Sequence, residues 1–291
     1  MKKIIILIPV YNDWKSVYKL LENINFEVSN LSYNFSVIIV NDASTEANPG
    51  LSTSLDSLNS IKIINMKENR GHARCNAAGL KHIFENEEFD YVIPMDGDGE
   101  DRPEEIKKLI DNLNHHSDKA IVGERVKRSE GIFFKFCYLA HKIITFTFTG
   151  QSIKYGNYTC LPKKIVEKMI KEKAAWSSFS GSLAKIAKDR VTTSSERGTR
   201  YFGPSKMSFK NLLIHSLSII SVFKINVLIR SILFLLVYMF LIYQNIKLIM
   251  LTPVLLVIFL MFSVIVISKR ENLEELNNSL SNISNIDNLK Q

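Results

Sequence analysis

Cysteine is scarce. Cys75, Cys137 and Cys160 are the chain's three, and they lie far apart. That excludes a zinc-ligand spacing and a disulfide framework, and it fits a reducing, cytosol-facing domain. No G-x-G-x-x-G run follows the first apolar stretch, where Pro9-Val10-Tyr11-Asn12 stands instead, so the dinucleotide-binding fingerprint is missing. No G-x-x-x-x-G-K-[ST] run occurs either, which excludes a P-loop NTPase. The chain also lacks a basic patch with interleaved aromatics. Its net charge of +8 comes from 37 Lys and Arg against 29 Asp and Glu, and the cations are scattered. This argues against nucleic acid and leaves an anionic membrane surface or phosphorylated substrates to explain the charge. The first ten residues imitate a leader, but no small-residue cleavage site precedes Tyr11-Asn12-Asp13-Trp14-Lys15. They read as a buried first strand.

What the chain does have is alternation. Apolar runs at 3–10, 35–40, 61–66, 90–95 and 120–123 read as strands. Residues 16–25 read as a helix with Val17, Leu20, Leu21 and Ile24 on one face, and a second helix opens in 69–74 and runs on to Leu80. Polar loops follow the strand ends. The pattern predicts an α/β fold with an open, right-handed wound sheet, in which ligands bind outside the carboxyl ends of the strands.

One such loop carries most of the chemistry. Asp96-Gly97-Asp98-Gly99-Glu100-Asp101-Arg102-Pro103-Glu104-Glu105 leaves the 90–95 strand and enters a helix with Ile106, Leu109 and Ile110 at helical spacing. Asp96 and Asp98 stand at i, i+2 around a glycine, so their carboxylates can converge. Two hard oxygen donors at a strand end suit Mg2+ or Mn2+ with open positions for phosphate oxygens. An acidic surface turn is the plain alternative. Asp42 and residues 69–74 fall at neighbouring strand ends, and that convergence favours a site. His72 reads as a solvated polar residue within reach of a phosphate, His115 and His116 as surface. Trp14 is either packing or beside a nucleobase.

Residues 128–150 mix basic and aromatic side chains and read as an amphipathic interfacial segment. Residues 206–224 read as a juxtamembrane amphipathic helix. Residues 226–243 and 248–267 are nearly all apolar, and 244–247 allows only a tight turn, so 225–268 is expected as a transmembrane hairpin. Lys224 and Arg230 flank one end, Lys269 and Arg270 the other, which predicts a multi-pass integral membrane protein with its large domain and both termini cytoplasmic. The tail, 269–291, is polar and is expected as a loosely attached helix or disordered segment. The spans carry no acidic residue to relay ions, which argues against a transporter.

The motifs together carry a resemblance. Pro9-Val10-Tyr11-Asn12, Val40-Asn41-Asp42-Ala43-Ser44-Thr45, Asn69-Arg70-Gly71-His72-Ala73 and Met95-Asp96-Gly97-Asp98-Gly99-Glu100-Asp101-Arg102-Pro103-Glu104 resemble, in order and spacing, the family 2 glycosyltransferases. Gly123-Glu124-Arg125 and Arg200-Tyr201-Phe202-Gly203-Pro204-Ser205-Lys206 look like later motifs of its polyprenyl-phosphate and dolichyl-phosphate sugar transferases. The resemblance implies a GT-A domain over residues 1–205, a nucleotide-sugar donor, Mg2+ or Mn2+, and a metal-dependent, inverting hexosyl transfer. It implies a polyprenyl-phosphate or other membrane lipid acceptor, with no nucleic acid partner; homo-oligomers stay open. By match, Pro9, Tyr11, Asn12, Asp42, Gly71, Arg74 and Asp96 would bind the donor. Asp96, Asp98 and Glu100 would hold the metal. Arg125, Arg200 and Lys206 would face the diphosphate or the acceptor phosphate, and these with Asp96 and Asp98 make the expected catalytic set.

The chain departs from the pattern at Ala43, Gly97 and Met207, and Gly156-Asn157-Tyr158-Thr159-Cys160 replaces a Gly-Asp-Phe-Arg-like run. The Q-x-x-R-W motif of processive synthases is absent. A hydroxyl acceptor would need a base, for which Asp101 or Glu100 is the candidate. A transferase acting on a glycan or lipid hydroxyl and an inert nucleotide-sugar-binding membrane protein are the competing readings.

Overall fold

The computed structural model describes residues 1–51, 53–127, 132–204 and 208–290. In chain order the first half is β1 (Lys3–Val10), α1 (Trp14–Val28), β2 (Asn34–Asn41), β3 (Leu58–Met66), α2 (His72–Asn86), β4 (Tyr91–Pro94), α3 (Ile106–Leu113), β5 (Ile121–Lys127) and α4 (Ile132–Thr149). Then come β6 (Thr159–Pro162), α5 (Lys163–Lys171), α6 (Phe179–Ile186), β7 (Val191–Glu196), α7 (Phe209–Ser221), α8 (Lys224–Ile242), α9 (Thr252–Ser268), α10 (Leu273–Asn277) and β8 (Ile283–Lys290).

The strands join one sheet in the order β7-β5-β6-β4-β1-β2-β3-β8. Its centre, β4-β1-β2-β3, is parallel, which places the carboxyl ends of β1, β2 and β4 on one edge. Strands β1 and β4 are covered on both faces. Along β1, Ile5 and Leu7 pack with Cys75, Ala78, Leu80 and Ile83 of α2. Ile4, Ile6 and Ile8 turn the other way, onto Val17, Leu20, Leu21 and Ile24 of α1 and Ile106, Leu109 and Ile110 of α3. This two-residue alternation between two cores is why β1 reads as a continuous apolar run. Full burial of each of these isoleucines stabilises the fold by roughly 1.5–3 kcal/mol.

Two short strands, β6 and β7, were not visible in the sequence. β6 has four residues and pairs antiparallel with both β4 and β5. β7 is Val-Thr-Thr-Ser-Ser-Glu, too polar to stand out.

The tail needs correction. Instead of a loose helix or disordered segment, residues 273–277 form α10 and 283–290 form β8, paired antiparallel with β3 from Met66↔Ile283 to Ile61↔Lys290. The strand has no alternating apolar face and most of it is exposed. Backbone pairing carries it, by covering the otherwise open edge of β3.

Residues 225–268, expected as a transmembrane hairpin, hold two apolar helices. Helices α8 and α9 lie antiparallel after a short turn, with Leu233, Leu236, Phe240, Leu255, Phe259 and Phe262 exposed. Two helices here are long and apolar enough to cross a membrane. The expected amphipathic segments appear as α4 and α7; residues 128–131 and 205–207 of those stretches lie outside the described residues.

Candidate active site

At the carboxyl edge the acidic loop folds on its own carboxylates. Asp101 Oδ2 accepts from the Asp96 N–H at 2.9 Å, and Asp98 Oδ1 accepts from the Glu100 N–H at 2.9 Å. Gly99 takes φ +90°, and a Cβ there would stand 2.6 Å from the Tyr201 ring. Only glycine therefore lets the 197–203 segment close over this loop. That segment brings cations: Arg197 pairs with Glu100, while Arg200 spans Asp98 and Asp13 at 2.5 Å each. Tyr201 holds the segment down by accepting from Asn23 Nδ2 at 2.8 Å.

Asp96 lies deeper. Its Oδ1 is 3.2 Å from His72 Nε2 and accepts from Asn157 Nδ2 at 3.1 Å. Burial opposes its ionisation, but His72 and Arg125 outweigh that and hold its carboxyl below the usual range. The neighbours are driven the other way. Burial first, then the Asp96 charge, push Asp98 up to about 6 and Asp101 up to about 7. Arg125 answers Asp101 at 3.4 Å.

Such crowding of hard carboxylates is what a divalent cation relieves, and the donor set fits Mg2+ or Mn2+ bound by few protein oxygens. The three-carboxylate set expected from the sequence is not drawn together: Glu100 is held by Arg197, and among the described residues no three His, Cys, Asp or Glu side chains gather at one point. Asp96 and Asp98 are the residues that would hold the ion.

Two clefts meet at this loop. The first, about 260 Å³, is lined by Pro9, Tyr11, Asp13, Asp96, Asp98 and Arg200 among others. The second, also about 260 Å³, runs beneath α4 and α7, where Arg125, Tyr138, His141, Lys154, Asn157 and His215 line it. His72, Asp96 and Arg197 border both.

The expected donor residues divide. Pro9, Tyr11 and Asp96 line the first cleft. Asp42 is buried and accepts from the N–H groups of Arg70 and Gly71 at 2.9 Å each. It therefore fixes the start of α2, and Gly71 serves that bond. Asn12, at φ +52°, clamps two loops: its Oδ1 accepts from the Thr45 and Glu46 N–H groups at 2.8 and 3.0 Å. Arg74 turns away, its guanidinium 5.5 Å from the Trp176 ring centre and near Glu275. Trp14 is packing, with Nε1 donating to the Glu46 carbonyl. Lys206 lies outside the described residues.

Sequence reading missed Asp13, Asn157, Arg197, Tyr138, His141 and His215. Asp13 and Arg197 each sit within three residues of a recognised motif residue, a usable signal. The other four reach the site only because β6, α4 and α7 return to it.

Comparison with known proteins agrees with this architecture. A family model described as glycosyl transferase family 2 matches residues 5–174, and the chain belongs to that family. Mannosyl-3-phosphoglycerate synthase from Rubrobacter xylanophilus superposes with a TM-score of 0.54 at 10% identity, over 76% of this chain and 72% of that one. Glucosyl-3-phosphoglycerate synthase from Mycobacterium tuberculosis, solved with Mn2+ and UDP, gives 0.51 at 11% identity, over 77% and 80%. The fold is thus GT-A. Among curated proteins, undecaprenyl-phosphate 4-deoxy-4-formamido-L-arabinose transferase from Salmonella choleraesuis (strain SC-B67) is 27% identical over 221 residues, covering 73% of this chain. The chain spans 65% of that relative's length.

Proposed function

We propose that this protein is a membrane-anchored glycosyltransferase that moves a sugar from a nucleotide-sugar to a polyprenyl phosphate. One observation carries the reading: two clefts share His72, Asp96 and Arg197. One lies beside the strand-end residues Pro9 and Tyr11. The other is roofed by α4 and α7, whose exposed faces carry Leu139, Ile143, Phe146, Phe209 and Leu213; α7 runs on into the apolar hairpin. A soluble donor and a membrane-borne acceptor would meet at that border.

The first cleft takes the nucleotide-sugar, with the exposed Tyr11 available to stack on its base. The acceptor's phosphate enters the second, where Arg125 and Lys154 offset its charge. One of its oxygens bonds to the anomeric carbon as the bond from that carbon to the donor phosphate breaks, and the nucleoside diphosphate leaves. A divalent cation at Asp96 and Asp98 supplies electrostatic stabilisation of the leaving diphosphate. Arg200 and Arg197 add fixed positive charge at the same place. An ionised phosphate needs no general base. That agrees with the surroundings of the two base candidates: Asp101 is 3% exposed and lines neither cleft, and Glu100 is tied to Arg197.

The anchor is a hairpin, α8 and α9 each crossing once. Because β8 follows the hairpin and pairs in the same sheet as β1 to β3, the chain returns to the side it left. The catalytic domain and both ends are then cytoplasmic, as the flanking Lys and Arg favour.

The test is nucleotide release. Full-length protein in vesicles with polyprenyl phosphate is given a panel of UDP-, GDP- and TDP-sugars with Mn2+ or Mg2+. Acceptor-dependent nucleoside diphosphate from one donor supports the reading. Equal release with a water-soluble hydroxyl acceptor and no lipid contradicts it.

A further inference from the structure

A helix leaves its last four carbonyls without intrahelical partners, and beside a membrane such groups need protein donors. Helix α4 ends at Thr149, where Gly150 turns at φ +77° and its N–H closes on the Phe146 carbonyl at 2.9 Å. Two side chains from the first two turns of α8 take further carbonyls. Arg230 Nη1 donates to the Thr147 carbonyl at 2.9 Å and lies 3.4 Å from that of Phe146. Asn226 Nδ2 donates to the Thr149 carbonyl at 3.2 Å. The guanidinium thus sits at the negative end of the α4 dipole. Phe148 and Phe234 pack edge to face beside it, ring centres 6.3 Å apart, so the joint between interfacial helix and anchor is polar at the cap and apolar alongside.

Both directions from this joint lead to the second cleft. About two and three turns before its end at Thr149, α4 presents His141 and Tyr138 to it. After the cap, the chain runs through Ile153, Lys154 and Tyr155 on the cleft wall to Asn157, whose amide donates to Asp96. The interval from Gly150 to Asn157 is short and has no regular structure, so a shift of the α4 end reaches the second-cleft wall at Ile153, Lys154 and Tyr155, while the Arg125 N–H, donating to the Lys154 carbonyl at 3.1 Å, holds the chain ahead of Asn157.

We propose that Arg230 and Asn226 are positioning residues for acceptor binding: by capping α4 they lock the membrane anchor to the wall of the second cleft. This rests on the transfer reaction proposed above. Anchor and acceptor pocket are then one unit, and the charge on α8 serves the cleft rather than the span. The side of the donor cleft away from the shared border, with Pro9, Tyr11, Asp13, Asp98 and Arg200, is not touched by either capping side chain.

The experiment compares wild type, Arg230→Met, Arg230→Lys and Asn226→Ala as full chains in phosphatidylethanolamine and phosphatidylglycerol vesicles, with polyprenyl phosphate as acceptor. Arg230→Met should raise the acceptor KM about fivefold, the scale of one helix-end charge contact, with donor KM and kcat unchanged. Arg230→Lys, which keeps a donor and the charge, should restore it, and Asn226→Ala should shift it in the same direction. Amide deuterium exchange of residues 147–151 should quicken in Arg230→Met and not in Arg230→Lys. Unchanged acceptor KM and exchange in Arg230→Met, or a parallel loss of donor and acceptor binding, would overturn the proposal. Should wild type label no lipid, the transfer reading fails, and exchange alone decides the cap: faster in Arg230→Met upholds it, unchanged refutes it.

Discussion

At Asp98 stability and function pull in opposite directions. Burial and the neighbouring Asp96 raise its carboxyl to about 6, so the folded chain favours the protonated form. The sign follows: this contribution to stability is complete below the usual carboxylate range and is lost as pH rises through about 6. In EDTA, Asp98→Asn should therefore gain stability over wild type as pH goes from about 4 to about 7, on the order of 1–3 kcal/mol, with no gain at the acid end. Thermal unfolding across that range checks it; a constant offset would refute it. The same variant should lose about 10²- to 10³-fold in transfer. Gly99 sets a second residue-level expectation. Gly99→Ala must strain φ and meet the Tyr201 ring, so the 197–203 segment should lift from the acidic loop. Transfer should fall about 10- to 100-fold while the thermal midpoint moves only a few degrees. Much of this centre was legible in the sequence, because Asp96, Asp98 and Arg200 stand in recognisable runs. What their partners do was not. Whether Asn12 touches ligand or clamps Thr45 depends on a side-chain rotamer and a left-handed φ, which a motif does not encode. Arg74 faces Trp176 because α2 rotates it there.

Among the elements, the strands of the parallel centre were legible because burial on both faces leaves an unbroken apolar run. β8 was not, because its pairing is carried by the backbone and its side chains are mostly solvated. That makes the strand a stability element. Ending the chain after residue 282 should strip the β3 edge, lower the thermal midpoint by about 2–4 °C per kcal/mol lost at this domain size, and promote edge-to-edge aggregation. Differential scanning and light scattering of the truncated protein read both effects; an unchanged midpoint in a monodisperse sample would show that β8 is dispensable. Helices α4 and α7 were recognisable as amphipathic, but composition gave no hint that they roof a cleft.

The whole molecule turns on β8 as well. In the proposed anchor, a chain that leaves the sheet after β7, passes through α8 and α9 and rejoins the same sheet must cross an even number of times. Asn245→Cys, in the hairpin turn, should react with a membrane-impermeant maleimide from the face opposite the catalytic domain, and Lys2→Cys only from the catalytic face. Labelling of both from one face would remove the spanning hairpin.

The most direct measurement is label in the organic phase. Full-length protein, polyprenyl phosphate and a radiolabelled nucleotide-sugar are incubated with Mn2+, extracted into solvent, and the product is weighed by mass spectrometry. A metal-dependent species with the mass of one sugar joined to one polyprenyl phosphate, absent with EDTA and in Asp98→Ala, is the predicted result. A released nucleotide whose sugar stays wholly in the aqueous phase would contradict it.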